Sequence, residues 1–143
     1  MIEKKTIKYL GIDWGSKRIG LAIGHSETGL ATPYKVVGNM REIVDIIKSE
    51  EINEVIIGEP LKMENSKMKV QLEFLNFLSD LKRKINIPVI TFDERLTSKS
   101  ADKLSKDKKN KAPRDAIAAM LILQTYLDKL NTNNTKKNER NEL

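Results

Sequence analysis

The hydrophobic and polar positions along this chain fall into short β-type runs and helical faces. Thr6–Trp14 (TIKYLGIDW) is rich in β-branched and aromatic residues and closes at Gly15-Ser16, which predicts a strand. Arg18–Ile23 predicts a second strand, joined to the first as a hairpin through Gly15-Ser16-Lys17. Lys35–Val37, after Pro33, reads as a short third strand. Apolar residues at 40, 43, 44 and 47 recur at spacings of three and four and mark one face of a helix over Met40–Ser49. Glu54–Gly58 is short, apolar and bounded by Gly58 and Pro60, as a buried central strand would be. Ser66 reads as the N-cap of a long helix with apolar positions 68, 72, 75, 78 and 81. Pro88–Phe92 is the next buried strand, and a shorter helix is expected from about Ser98 to Leu104. Residues 105–112 (SKDKKNKA) have no apolar periodicity and form an exposed loop. Pro113 suits the first position of a last helix, Arg114–Leu130. From Asn131 onward nothing can be buried, and a disordered polar tail is expected over 131–143.

The order β-β-β-α-β-α-β-α-α implies an α/β domain over residues 1–130. Three hairpin-linked strands and two further strands, reached by crossovers, would form a mixed five-stranded sheet with helices on both faces. Right-handed crossovers make the two later strands parallel to the first. Such sheets take their ligands beyond the carboxyl ends of the parallel strands. Here those ends carry Asp13, Glu59 and the Asp93-Glu94 pair, and Asp115 opens the last helix.

Composition narrows the chemistry. With no cysteine and a single histidine, His25, thiolate zinc sites, disulfide scaffolds, cysteine nucleophiles and histidine cages are excluded. No apolar run is long enough to span a bilayer, and the first residues lack a signal-peptide core, so a soluble, cytoplasmic protein without a membrane partner is expected. The net charge of +6 is unevenly placed. Residues 1–58 are balanced, 59–104 carry +2 and 105–143 carry +4. That gradient suits a polyanion such as nucleic acid, although a lysine-rich solvated surface gives the same arithmetic.

Carboxylates that converge at strand ends repel one another unless a cation binds between them. With oxygen donors alone the cation would be hard, Mg²⁺ or Mn²⁺. Such ions can activate water on one side of a phosphodiester and stabilise the leaving oxygen on the other. Each acid also has a plainer reading. Asp13 could end a strand as a turn residue, and Asp115 could complement the helix dipole. However, Asp115 lies above Ala118, Ala119 and Ile122, the small face expected to pack on the sheet. Asp93 and Glu94, being adjacent, point to opposite sides, so at most one of them is a direct ligand, and the other caps the following helix or binds Arg95. Glu59 before Pro60 is either a ligand or loop. Gly15 lets a phosphate or metal come close to the main chain, and Ser16, Lys17 and Arg18 supply a donor and two cations at that edge. The alternative is a basic hairpin turn. Tyr9, Trp14 and Phe92 read as core, and His25 as a polar strand end. Neither G-x-G-x-x-G nor G-x-x-x-x-G-K-[ST] occurs.

Five blocks together resemble the YqgF family: GIDWGSKRIGLA at 11–22, ATP at 31–33, GEPLKM at 58–63, DERLTS at 93–98 and DAIAAMLILQTYL at 115–127. These are small bacterial proteins similar to Holliday-junction resolvases, also described as nucleases for the precursor of 16S ribosomal RNA. The resemblance runs in order from about residue 7 to residue 128. It implies an RNase H-like three-layer fold and a divalent-metal-dependent endonuclease acting in the cytoplasm. The substrate would be a structured RNA precursor, for 5′-end maturation of pre-16S rRNA, or branched DNA. By position, Asp13, Glu94 and Asp115 match the acidic cluster, with Asp93 beside it. Lys17 and Arg18 match the basic pair after the first strand, and Arg95 the arginine after the acidic pair. Lys108, Lys109 and Lys111 would add backbone contacts from the basic loop. Glu59 departs from the Gly-Leu-Pro or Gly-Met-Pro usual at that strand end. It is either an additional ligand, as in related resolvases, or a surface substitution. A monomer or weak homodimer is expected, since no exposed apolar stripe stands out. The competing readings are a non-catalytic nucleic-acid-binding domain on the same fold and, last, an ATP-handling domain. GIDWGS also resembles the phosphate loop of the actin and heat-shock ATPase superfamily, but those proteins close two such domains around the nucleotide.

Overall fold

The computed structural model describes residues 6–59, 68–93 and 113–141. Its elements are β1 (Lys8–Asp13), β2 (Ile19–His25), β3 (Leu30–Val37), α1 (Met40–Ser49), β4 (Glu54–Glu59), α2 (Met68–Lys84), β5 (Val89–Asp93) and α3 (Arg114–Asn141). The strands form one five-stranded sheet in the order β3-β2-β1-β4-β5. β1 runs antiparallel to β2 and parallel to β4, and β4 runs parallel to β5. The mixed sheet expected from the sequence is therefore present. The expected N-cap Ser66, the helix from about Ser98 to Leu104 and the basic loop 105–112 lie outside the described residues.

Strand alternation sorts the core into two layers. Leu10, Ile12, Val55 and Ile57 face α1 and α2, meeting Ile43, Ile46, Ile47, Phe74 and Leu81. Tyr9, Ala22, Ala31 and Ile56 face α3, meeting Ala119, Ile122, Leu123 and Leu127. A fully buried aliphatic side chain stabilises by roughly 1.5–3 kcal/mol, so these two layers rather than the turns hold the sheet together. α1 begins at Asn39, whose side chain accepts from the Glu42 N–H, while the Glu42 carboxylate accepts from the Gly38 N–H. This reciprocal cap is worth about 1 kcal/mol.

Three elements differ from expectation. β3 is much longer than Lys35–Val37, because Pro33 lies within an edge strand, where a missing donor is tolerated. The register shifts between Leu21 and Ala22 opposite Tyr34, absorbing the irregularity as a bulge. Of the face drawn through 68, 72, 75, 78 and 81, α2 covers only the last two positions. It buries Phe74 and Leu81, with Phe77 and Leu78 partly covered, while Met68, Leu72 and Leu75 are exposed. The helix carries two apolar stripes, and only the one at 74, 77, 78 and 81 meets the sheet. The expected lack of an exposed apolar stripe is thus corrected. Finally, α3 continues past Leu130 to Asn141, where a tail without structure was expected. Propagating a helix that is already docked adds one hydrogen bond per residue and needs no new nucleus.

Candidate active site

Asp13 ends β1 on the α3 side of the sheet, in line with Tyr9 and Gly11. Its partner on β2 is Gly20 and its partner on β4 is Gly58. The carboxylate is therefore flanked on both sides by residues without side chains. The first turn of α3 fills that space. A Cβ at position 20 would stand 1.9 Å from the Asp115 carbonyl oxygen, which no packing adjustment short of moving the helix could relieve. Further along, Ala119 and Leu123 keep α3 close to Gly11, where an added Cβ would be 2.8 Å from Leu123 Cβ. At the other end, the Gln124 side chain accepts from the Ala31 N–H at 2.9 Å and donates to the Gly29 carbonyl at 2.9 Å, tying α3 to the edge strand. The backbone of Asp115 is in this way laid on β2 beside Asp13.

The electrostatics follow from this packing. Burial raises the Asp13 carboxyl from 3.8 to about 6; the charge of Asp115 adds to the rise, and Arg114 opposes it. Asp115 is half-buried and paired with Arg18, Nε to Oδ2 at 3.1 Å, while most of the Arg18 side chain stays in solvent. Two carboxylates are thus held near one another, one of them largely stripped of water. A cation bound between them would remove both the desolvation penalty and the repulsion. The available donors are oxygens. The chain has no cysteine, and His25 is exposed at the opposite edge of the sheet, paired with Lys8. The donor set therefore fits a hard divalent ion.

The other expected residues fall as follows. Glu59 is exposed and follows Gly58, and strand alternation gives it the α1/α2 side, opposite Asp13. Asp93 ends β5 as the register partner of Glu59. Glu94, Arg95, Lys108, Lys109 and Lys111 lie outside the described residues. Ser16 and Lys17 are exposed in the β1–β2 turn. Gly15 has a reason internal to the chain: a Cβ there would be 2.6 Å from the Arg18 carbonyl oxygen, so the turn itself demands glycine. Among the described residues no group of three or more acidic or histidine side chains is arranged as a metal cage. Sequence reasoning missed Gly20 and Arg114. Gly20 could have been noticed as a glycine inside an apolar strand, a common sign of close backbone approach. Arg114 carried no signal beyond its place next to Asp115.

Comparison with known proteins agrees with this fold. The family model described as "RuvX: Holliday junction resolvase" matches residues 7–129. A "Putative pre-16S rRNA nuclease" of Maridesulfovibrio salexigens is 36% identical, covering 85% of this chain and 98% of that protein. A protein of the same name from Malacoplasma penetrans is 38% identical, covering 84% and 93%. Among solved structures, Thermus thermophilus RuvC in complex with a Holliday junction substrate has a TM-score of 0.58 at 13% identity, covering 85% of this chain and 93% of that one. The Fowlpox virus resolvase in complex with Holliday junction DNA has 0.57 at 11% identity, covering 87% and 99%. At such identities the structural likeness is one of fold, the RNase H-like arrangement of a mixed sheet between helices. The sequence matches go further: this chain belongs to the RuvX Holliday junction resolvase family.

Proposed function

We propose that this chain is a divalent-cation-dependent nuclease that hydrolyses phosphodiester bonds in a precursor of 16S ribosomal RNA in the cytoplasm. The observation that carries the reading is the enforced meeting of Asp13 and Asp115, with Asp13 raised to about 6. Arg18 and Arg114 offset only part of the charge of that pair, since Asp13 stays raised, and a bound cation would supply the rest. Asp13 and Asp115 would hold Mg²⁺ or Mn²⁺, with Glu94, directly after β5, as the third acid. The ion would supply charge neutralisation at the scissile phosphate and a water of lowered pKa. The residues of the chain fix the geometry and the charge. Arg18 restrains Asp115 at 3.1 Å while leaving its guanidinium open to a phosphate oxygen. Lys17, exposed on the turn, and Arg95, Lys108, Lys109 and Lys111 would hold the nucleic-acid backbone by salt-sensitive contacts.

The choice of RNA precursor over branched DNA rests on relatives at 36–38% identity that match nearly end to end, against junction-bound structures at 11–13%. The test incubates wild type and Asp13→Asn with a labelled 16S precursor and a labelled four-way DNA junction, in Mg²⁺ and in Mn²⁺. Metal-dependent cutting of the precursor by wild type alone is the expected result. Cutting of the junction alone would reassign the substrate. Equal background from both proteins, with binding retained, would leave a nucleic-acid-binding domain on a nuclease fold.

A further inference from the structure

Asp13 and Trp14 are consecutive, so they face opposite sides of the sheet edge. Asp13 looks toward α3, and Trp14 packs with the core on the α1/α2 side. Around Trp14 lies a groove of about 620 Å³ between the β1–β2 turn, the start of α1 and one side of α2. Its apolar wall is Trp14, Phe77 and Met40; the indole sits 6.2 Å from the Phe77 ring and 5.6 Å from that of Phe74. Its polar lining includes Lys17, Lys69, Ser16 and Asn76. Glu73 and Asp80 also line it, and Asp80 is already bonded to Arg83.

This lining is mixed in a specific way. Phosphates alone would be served by cations alone, and a duplex carries two backbones that Glu73 and Asp80 would repel. A single nucleotide offers a phosphate for the lysines, an apolar ring for Trp14 and Phe77, and edge donors for carboxylate and amide oxygens. The volume accommodates one nucleotide with water to spare. We propose that this groove holds an unpaired nucleotide of the substrate strand, next to the scissile phosphate, as the strand crosses the sheet edge over Gly15-Ser16. The inference deepens the nuclease reading by naming what the enzyme grips beside the cut: a single strand. It extends the contact surface from the α3 side of the sheet to the opposite side, through the turn that carries Lys17.

Trp14 is the only tryptophan in the chain, so its fluorescence reports occupancy of this groove directly. The experiment titrates the full chain, in Ca²⁺ without Mg²⁺ or Mn²⁺, with a fluorescein-labelled 12-nucleotide single-stranded RNA, the DNA of the same sequence and a 12-base-pair duplex. Label anisotropy reads binding, and unlabelled copies read Trp14 emission. Single strands are expected to quench Trp14 and to bind more tightly than the duplex. Lys69→Glu is expected to raise the single-strand Kd about tenfold and lower its salt slope by about one, with the circular dichroism spectrum unchanged. Binding without quenching, a preference for duplex, indifference to Lys69→Glu, or no binding at all would each overturn the proposal. The nuclease reading stands or falls separately. A protein that cuts but ignores Lys69→Glu loses the groove and keeps the chemistry; one whose Trp14 is quenched but which never cuts loses the chemistry and keeps the groove.

Discussion

The two edges of the sheet both carry acids, and they treat them in opposite ways. At the edge where β1 begins, Glu50 accepts from Lys8 Nζ at 2.9 Å and from the Tyr34 hydroxyl at 3.2 Å. Its carboxyl is lowered from the ordinary value, chiefly by the hydrogen bond from Lys8. At the edge where β1 ends, Asp13 is buried beside another carboxylate and pushed up to about 6. One edge relieves its charge with partners from β1 and β3; the other buries Asp13 beside a second carboxylate and pairs only Asp115, with Arg18. A fold selected only for stability would have made both edges like the first. The contrast teaches where to look for chemistry in a sheet of this kind: at the end where packing confines like charges that the neighbouring cations do not fully offset.

The comparison is most severely tested at Asp13. Asp13→Asn is expected to lower the cleavage rate at least about a thousandfold, since a ligand and its charge are lost together. The same change should stabilise the fold. An acid whose folded pKa exceeds its unfolded value binds more protons in the folded state between the two values. Stability therefore declines as pH rises from about 4 to about 6, and Asp13 costs up to roughly 3 kcal/mol at neutral pH. In EDTA at pH 7.5 the Asn variant is expected to melt several degrees above wild type. At pH 4 the gap should close. Adding Mg²⁺ should raise the melting temperature of wild type and leave that of the variant in place. A variant that melts below wild type at pH 7.5 would mean that the carboxylate is a structural partner after all.

Position 20 probes the packing that confines the pair. Gly20→Ala would drive a methyl group into the Asp115 carbonyl and displace the start of α3. Overpacking of this kind costs typically 1–3 kcal/mol, and a misplacement of about 1 Å at a catalytic group can cost about a hundredfold in rate. Gly38→Ala is the matched control, because nothing lies within 4 Å of an added Cβ there. Its melting temperature and activity should stay within error of wild type. A smaller expected effect is the pH profile. At subsaturating Mg²⁺, cleavage should fall as pH drops below about 6, because a proton on Asp13 competes with the cation, and added Mg²⁺ should move that fall to lower pH. A profile that does not move with Mg²⁺ concentration would separate Asp13 from cation binding.

How much of this was legible in the chain differs by region. Residues 6–25 announce themselves, because a β-branched run, a glycine turn and a second apolar run leave little choice but a hairpin. The order of elements and the acid at the end of β1 follow from local pattern alone. β3 was underestimated because Pro33 reads as a break when the strand is assumed central, and sequence does not say which strand is at the edge. The face of α2 was misplaced because Met68, Leu72 and Leu75 carry the same spacing as a core stripe; only the position of the sheet shows that Phe74 and Leu81 are the buried pair. The role of Gly20 depends on α3, far away in sequence, lying across β2. A glycine in an apolar strand signals a close approach, but the local pattern does not say which distant element makes it.

The quiet edge supplies the smallest and most discriminating effect. Glu50→Gln removes a charge that Lys8 and Tyr34 already satisfy near the surface, and such pairs contribute little once solvent screens them. Cleavage should be unchanged, and the melting temperature at pH 7.5 should move by no more than about 2 °C, downward. The direction in pH is opposite to that of Asp13. A carboxyl lowered on folding contributes stability that is present above its unfolded pKa and lost as pH falls through the folded one. The deficit of the Gln variant should thus be present at neutral pH and vanish in acid, while the gain of Asp13→Asn also vanishes there. Two substitutions of the same type, at the two ends of neighbouring chain segments, should therefore converge on wild type from opposite sides as the solution is acidified. If both variants moved the melting temperature in the same direction at pH 7.5, the two edges would not differ in how they hold charge, and the electrostatic case for a cation at Asp13 would lose its reference point.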